Sequence, residues 1–286
     1  MSPWRCAGLR WRGEGASLLW AGGRASSLVP GQAVAFRAVG ERLCGGARGN
    51  PCPLAAVVAA RSTSGVCEEC ARLDRVHSVA ADTALDDPRV FRVYLAWFGR
   101  GLVKVGITAE ERGDARLLEQ GAVAFTWLGR GALMAARRAE AVLGAGLGLP
   151  DRVPYAAKRL ARVGLPGPDV RAREVHRLYD DALGVSGWQD TLERLPLDVQ
   201  DHVGAFGLAG LERVDGVVAG LVDGGCLRGV LDAVAGPDLH LRPADGRFVV
   251  LDARLMRGWE LSGEGVGADL SLPVVPVPPG VQGGLF

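Results

Sequence analysis

Val93-Tyr94-Leu95-Ala96-Trp97-Phe98-Gly99-Arg100-Gly101-Leu102-Val103-Lys104-Val105-Gly106-Ile107-Thr108 consists of two apolar runs joined by a Gly-Arg-Gly turn. Two β-forming runs around so short a Gly-containing turn predict a β-hairpin. The stretch also holds residues that the rest of the chain avoids. Ile107 is the only isoleucine, and Lys104 is one of two lysines among 33 basic residues. Elsewhere the sequence drifts toward Gly, Ala, Arg and Val. Residues that stand against such a drift are the first to suspect of a specific task.

Outward from the hairpin, Asp86-Asp87-Pro88 reads as the turn that precedes it, and a helical pattern follows it. Glu110, Glu111, Arg112, Arg116, Leu117 and Leu118 run into Gly121, a candidate C-cap. Val123–Leu128 reads as a third strand, and Ala132–Leu143 is rich in helix formers. Further helices are predicted over Ala156–Arg162, Val170–Leu183 and Trp188–Leu195, the last with Ser186 as N-cap. Short strand patterns return at Val214–Val222, Leu239–Arg242, Arg247–Leu251 and Leu255–Leu261. Ser17–Trp20 and Ala33–Val39 suggest a small antiparallel region near the N-terminus. The expected fold class is α+β. A β-rich, metal-binding module covers 1–80, and an α/β core with a helical extension covers 88–200. A small β-barrel or sandwich spans 203–272, and an extended or flexible Pro/Val/Gly tail spans 273–286.

An apolar content of 48% with 23% charge describes a globular chain. The net charge of +1 gives no whole-molecule argument for a polyanionic partner. Residues 1–76, however, carry ten arginines and no lysine against five acids. This is either a solvated surface or a phosphate-facing patch. No apolar run approaches the roughly 18 residues of a membrane span. Arg5, Arg10, Arg12 and Glu14 interrupt the N-terminus where a signal peptide needs an apolar stretch. A cytoplasmic location without membrane attachment is the expectation, and in that compartment cysteines stay reduced.

Cys44, Cys52, Cys67 and Cys70 cluster in sequence, with Cys67-Glu68-Glu69-Cys70 as a C-x-x-C pair. The pair can meet one ion from a single turn. The Gly- and Pro-rich surroundings of Cys44 and Cys52 let two more sulfurs approach. Four thiolates suit a closed, structural Zn²⁺ site. His77 and Cys6 are reserve ligands, and Cys226 reads as a core residue. The competing reading is a thiol redox or metal-sensing pair at Cys67 and Cys70.

Val93-Tyr94-Leu95 followed by Lys104-Val105-Gly106-Ile107-Thr108, an arginine helix and a glutamate helix resembles the GIY-YIG nuclease superfamily over roughly residues 90–150. The wider pattern of four cysteines, His77, Val93–Ala96, Lys104–Thr108, Arg116 and Glu119-Gln120-Gly121-Ala122 resembles an uncharacterised bacterial family, domain of unknown function 2797. The nuclease resemblance implies Tyr94 as the first-motif tyrosine and Lys104 in place of the second. It implies Gly106 as the packing glycine, Arg116 or Arg112 as the helix arginine, and Glu140 as ligand of a catalytic Mg²⁺ or Mn²⁺. Arg92 stands where the first motif has glycine, and the Tyr94–Lys104 spacing is one residue short. What the resemblance implies is a zinc-stabilised nucleic-acid-binding protein acting on DNA or RNA, with phosphodiesterase chemistry. The alternative is a non-catalytic nucleic-acid or protein-binding module on a degenerate nuclease fold. Each residue also has an ordinary reading. Tyr94 can be core and Lys104 a solvated strand residue, while Arg116 can pair with Glu119 or Glu111 and Glu140 with Arg137.

Overall fold

The computed structural model describes residues 3–76, 87–188, 190, 192–263 and 269–278. The chain divides into two compact units, residues 1–84 with 213–286, and residues 85–212. The first unit opens with β1 (Trp4–Arg12), β2 (Gly15–Trp20), β3 (Ala25–Leu28) and β4 (Ala33–Val39). The cysteine loops and α1 (Glu68–Val76) follow. The second unit runs β5 (Phe91–Gly99), β6 (Leu102–Ala109), α2 (Ala115–Gln120), β7 (Ala124–Gly131), α3 (Leu133–Gly146), α4 (Tyr155–Ala161), α5 (Pro168–Gly184), β8 (Glu193–Arg194), β9 (Gln200–Asp201) and α6 (Val203–Phe206). The chain then returns to the first unit with β10 (Gly216–Val218), β11 (Cys226–Ala235), β12 (Asp238–Arg242), β13 (Val249–Asp252), β14 (Glu260–Ser262) and β15 (Val274–Pro276).

In the first unit the strand order is β15-β10-β13-β12-β11-β4-β14-β1-β2-β3. The two terminal β regions, which read as separate modules in sequence, are therefore hydrogen-bonded into one sheet. β4 lies between β11 and β14, with Leu227 opposite Phe36 and Leu261 opposite Ala38. The reason is edge satisfaction: neither segment alone covers the free N–H and C=O groups of its outer strands. The long central strand β11 went unread, because Gly229 and Asp232 break its alternation. The tail contributes β15, which extends the sheet by pairing with β10.

In the second unit β5 is central, between β6 and β7, and all three pair antiparallel. β5 is buried along almost its whole length, as a strand covered on both faces must be. Tyr94, Ala96 and Phe98 point to one face, where they join Leu117, Ala122, Phe125 and Val153. Val93, Leu95 and Trp97 alternate to the other, and Trp97 Nε1 donates to Glu174 of α5 at 2.9 Å. The predicted helix over Trp188–Leu195 is absent from the described residues. Trp188 instead folds back to donate its indole N–H to the Ala182 carbonyl at 2.9 Å. Glu193–Arg194 pairs with the edge of β7, which Gln200–Asp201 also joins. The demand of a sheet edge for partners overrides helix propensity here.

Candidate functional site

Two side-chain constellations stand out, one in each unit. In the first unit, an isolated bridge between Leu43 and Val57 folds residues 43–57 back on themselves. The Cys44 N–H donates to the Ala56 carbonyl at 2.8 Å. This brings Cys52, on a tight turn closed by the Ala55 N–H to the Cys52 carbonyl at 3.2 Å, toward Cys44. Gly46 lies at φ +74 with no room for a Cβ against the Asn50 carbonyl, so glycine is required there. Cys67 leads into α1, and Cys70 lies one turn on. The thiols of Cys44, Cys52, Cys67 and Cys70 all lie within 4.8 Å of one another. Sulfurs at the corners of a tetrahedral zinc site sit about 3.8 Å apart, since Zn–S is about 2.3 Å. Cys52 and Cys67 are 3.9 Å apart.

The four sulfurs differ in their surroundings. Cys44 Sγ accepts backbone N–H groups from Cys67 at 3.1 Å and Gly46 at 3.4 Å. Hydrogen bonding from the Ala56 backbone pulls the Cys52 thiol down to about 7, whereas burial pushes Cys70 up. Four close, soft donors with N–H support can hold a metal such as zinc. Cys6 stands apart in β1, where burial raises its thiol to about 11, and Cys226 is buried in β11 as expected. His77 lies outside the described residues. The C-x-x-C pair does open a helix, but a loop precedes it and not a strand.

In the second unit the sheet register decides the geometry. Tyr94 pairs with Gly106 and Ala96 with Lys104. Cross-strand partners share a face, so Tyr94 and Lys104 project from the same side. A Cβ at Gly106 would collide with the Tyr94 hydroxyl, so the phenol lies across β6 only because residue 106 has no side chain. Tyr94 is 1% exposed, and its hydroxyl accepts the Gln120 side-chain N–H at 2.7 Å. Burial raises its pKa, while Gln120 and Arg116 oppose that shift. Of the two helix arginines, Arg112 makes two 2.8 Å bonds to Glu119. Arg116 is the one that acts on Tyr94 and Lys104. We expect Gly106→Ala to displace the Tyr94 ring and destabilise the protein by about 1–3 kcal/mol, as overpacked sites do. Urea unfolding followed at Trp fluorescence measures this, and an unchanged midpoint would count against the close approach.

Lys104 and Glu140 are both half-buried and line one open groove of about 690 Å³ together with Arg137, Ala141, Gly144, Ala145, Gly148, Leu149 and Asp151. Burial lowers the Lys104 pKa, against the pull of Glu140. Burial raises the Glu140 pKa, against the pull of Lys104, and Asp151 raises it further. Of the four residues singled out in sequence, Arg116 and Glu140 thus each act on both Tyr94 and Lys104. Lys104 and Glu140 line the groove, exposed Arg116 lies near them, and Tyr94 is buried. Sequence reasoning missed Gln120 as the phenol's partner, although the residue sat in the quoted Glu119–Ala122 motif. It also missed Asp151, which follows the Gly-rich turn 144–150, and Lys158, the second lysine.

The family model described as "Protein of unknown function (DUF2797)" matches residues 31–261, most of the chain, and the chain belongs to that family. Neither the curated proteins nor the solved structures include a significant match. Among the described residues no helix is long and apolar enough to cross a membrane.

Proposed function

We propose that this member of the DUF2797 family binds nucleic acid in the groove beside Lys104 and Glu140 and hydrolyses phosphodiester bonds there. The zinc ion of the four-cysteine site is structural in this reading. The observation that carries it is the mutual approach of Lys104, Glu140, Arg116 and Tyr94, which arise from two strands and two helices. A hard cation such as Mg²⁺ or Mn²⁺, held by Glu140 with Asp151 as the neighbouring carboxylate, would polarise a phosphoryl oxygen and acidify a bound water. Arg116, exposed and acting on Lys104 and Glu140, offsets charge that builds on phosphorus. Lys104 accepts the proton of the attacking water, a role that its depressed pKa suits. Tyr94, held by Gln120, supports the strand beneath.

The test is cleavage of single- and double-stranded DNA and RNA by the intact protein, with and without Mg²⁺ or Mn²⁺. Metal-dependent cleavage that Glu140→Gln abolishes while binding persists supports the enzyme. Binding without cleavage by the parent protein supports the non-catalytic module instead. The pH profile carries a further expectation. Glu140 must be ionised to hold a cation, and its pKa is raised. The acid limb of the rate should therefore lie above the ~4.3 of an ordinary glutamate. Lys104 loses its proton at lower pH than an ordinary lysine, so its basic form appears earlier on the alkaline side.

A further inference from the structure

We propose that Lys104 is a nucleophilic amine that captures the aldehyde of an abasic sugar as an imine, so that the groove cleaves nucleic acid that has lost a base. The proposal rests on the nucleic-acid reading of the groove and adds a second chemistry to it.

The argument begins with the two lysines. In a chain whose basic residues are otherwise all arginine, a lysine marks a position where charge alone does not suffice. Lys158 has a structural reason. It is 4% exposed, with Nζ 3.8 Å from the Phe98 ring centroid and 4.5 Å from that of Tyr155. It donates to the Gln120 carbonyl at 3.0 Å, so its amine is taken up by packing and hydrogen bonding inside the fold. Lys104 has no such reason. It lines an open groove walled by Ala141, Gly144, Ala145 and Gly148, and a Cβ built on Gly144 or Gly148 meets nothing within 4 Å. Arginine would supply the same charge. What arginine cannot supply is an amine that sheds its proton and forms a carbon–nitrogen bond.

The surroundings suit that chemistry. Among the described residues no hydrogen bond or salt bridge fixes the Lys104 amine, while the Glu140 and Asp151 carboxylates share its groove. Arg137 lines the same groove and Arg116 and Arg152 act on Lys104, which favours a carbonyl flanked by phosphates over a neutral one. Burial moves Lys104 toward the free amine and Glu140 toward the acid, the forms the first step needs. The neutral amine adds to C1′ of the open-chain sugar. The carbinolamine takes a proton from the Glu140 carboxyl and loses water, giving the protonated imine. The Glu140 carboxylate then removes a proton from C2′, the C3′–O bond breaks, and the 3′ phosphate leaves with the electron pair. Water hydrolyses the imine, returning the amine and an unsaturated aldehyde. No oxidant or metal is consumed.

The experiment uses an oligonucleotide with one abasic site, incubated with the intact protein in the presence of sodium borohydride and without added divalent metal. A covalent adduct whose peptide mass maps to Lys104 is expected. Without borohydride the strand should break to a 5′-phosphate and an unsaturated 3′ end. Lys104→Arg should lower both by at least 100-fold while melting at the parent's temperature. An adduct confined to Lys158 or the terminal amine, or no adduct at all, overturns the proposal. If metal-dependent cleavage of intact strands persists in that case, the phosphodiesterase reading survives alone. Trapping at Lys104 without cleavage of intact strands removes that reading and leaves the imine chemistry standing.

Discussion

Replacing Cys44 by alanine is expected to reduce bound zinc from one per chain to none and to cost the first unit several kcal/mol of stability. Structural zinc in small domains contributes on the order of 10 kcal/mol of apparent binding free energy, and that free energy is folding free energy. Cys44 carries more than a quarter of the site, because its sulfur also accepts the Gly46 and Cys67 N–H groups. The loss does not stay local. Leu43 donates to the Gly258 carbonyl at 3.1 Å, and Gly258 donates to Cys6 of β1 at 2.8 Å. Arg42, 1% exposed, gives its guanidinium N–H groups to the carbonyls of Ala59, Ser62, Arg254 and Arg257. Loosening the thiol cluster loosens the segment that supplies the Ala59 and Ser62 carbonyls to a buried cation, and among the described residues no carboxylate pairs with that cation. Zinc stoichiometry and thermal unfolding by circular dichroism check the expectation. A variant with full zinc content and the parent's midpoint would remove the metal from the account. Because binding requires thiolates, acidification should release the ion, with the loss growing as the cysteines protonate.

How much of this was legible in the sequence follows from the range of each interaction. The hairpin was readable because its turn and its two apolar runs are local, and the Gly121 cap falls where the sequence put it, with Gly121 at φ +71. The cysteine cluster was readable because soft ligands in Gly/Pro-rich loops leave few other uses for them. The pairing of β4 with β11 was not readable, since its partners lie some two hundred positions apart and no local pattern announces them. The failed helix at 188–195 has the same origin: a sheet edge far away in sequence claims the segment. At the candidate site, strand parity alone predicts that Tyr94 and Lys104 share a face. It does not predict that Tyr94 is sealed from solvent. That depends on α2 lying over the ring and on Gln120 closing its hydroxyl, both tertiary facts.

That sealing separates two variants that the sequence treats alike. Tyr94→Phe removes the hydroxyl that meets Gln120 from a residue that is 1% exposed. The orphaned amide should cost about 1–3 kcal/mol of stability, while the rate at saturating substrate falls by less than about tenfold. Glu140→Gln touches a half-buried carboxylate in an open groove, where a ligand reaches it directly. Losing its charge there should loosen the cation and forfeit the several kcal/mol of transition-state stabilisation that a bound metal supplies, a rate loss of about 100-fold or more. Its stability should rise slightly, because a carboxylate whose pKa burial has raised is held ionised at a cost near neutral pH. That penalty is absent below the unfolded pKa and sets in as pH climbs through the folded one, so the stability gain should vanish in acid. Initial rates at saturating and limiting substrate, with urea midpoints at pH 4 and pH 7, separate the two effects. Should Tyr94→Phe prove the crippling change and Glu140→Gln the mild one, proton handling would belong to the buried phenol and the groove would be only a neighbour of the chemistry.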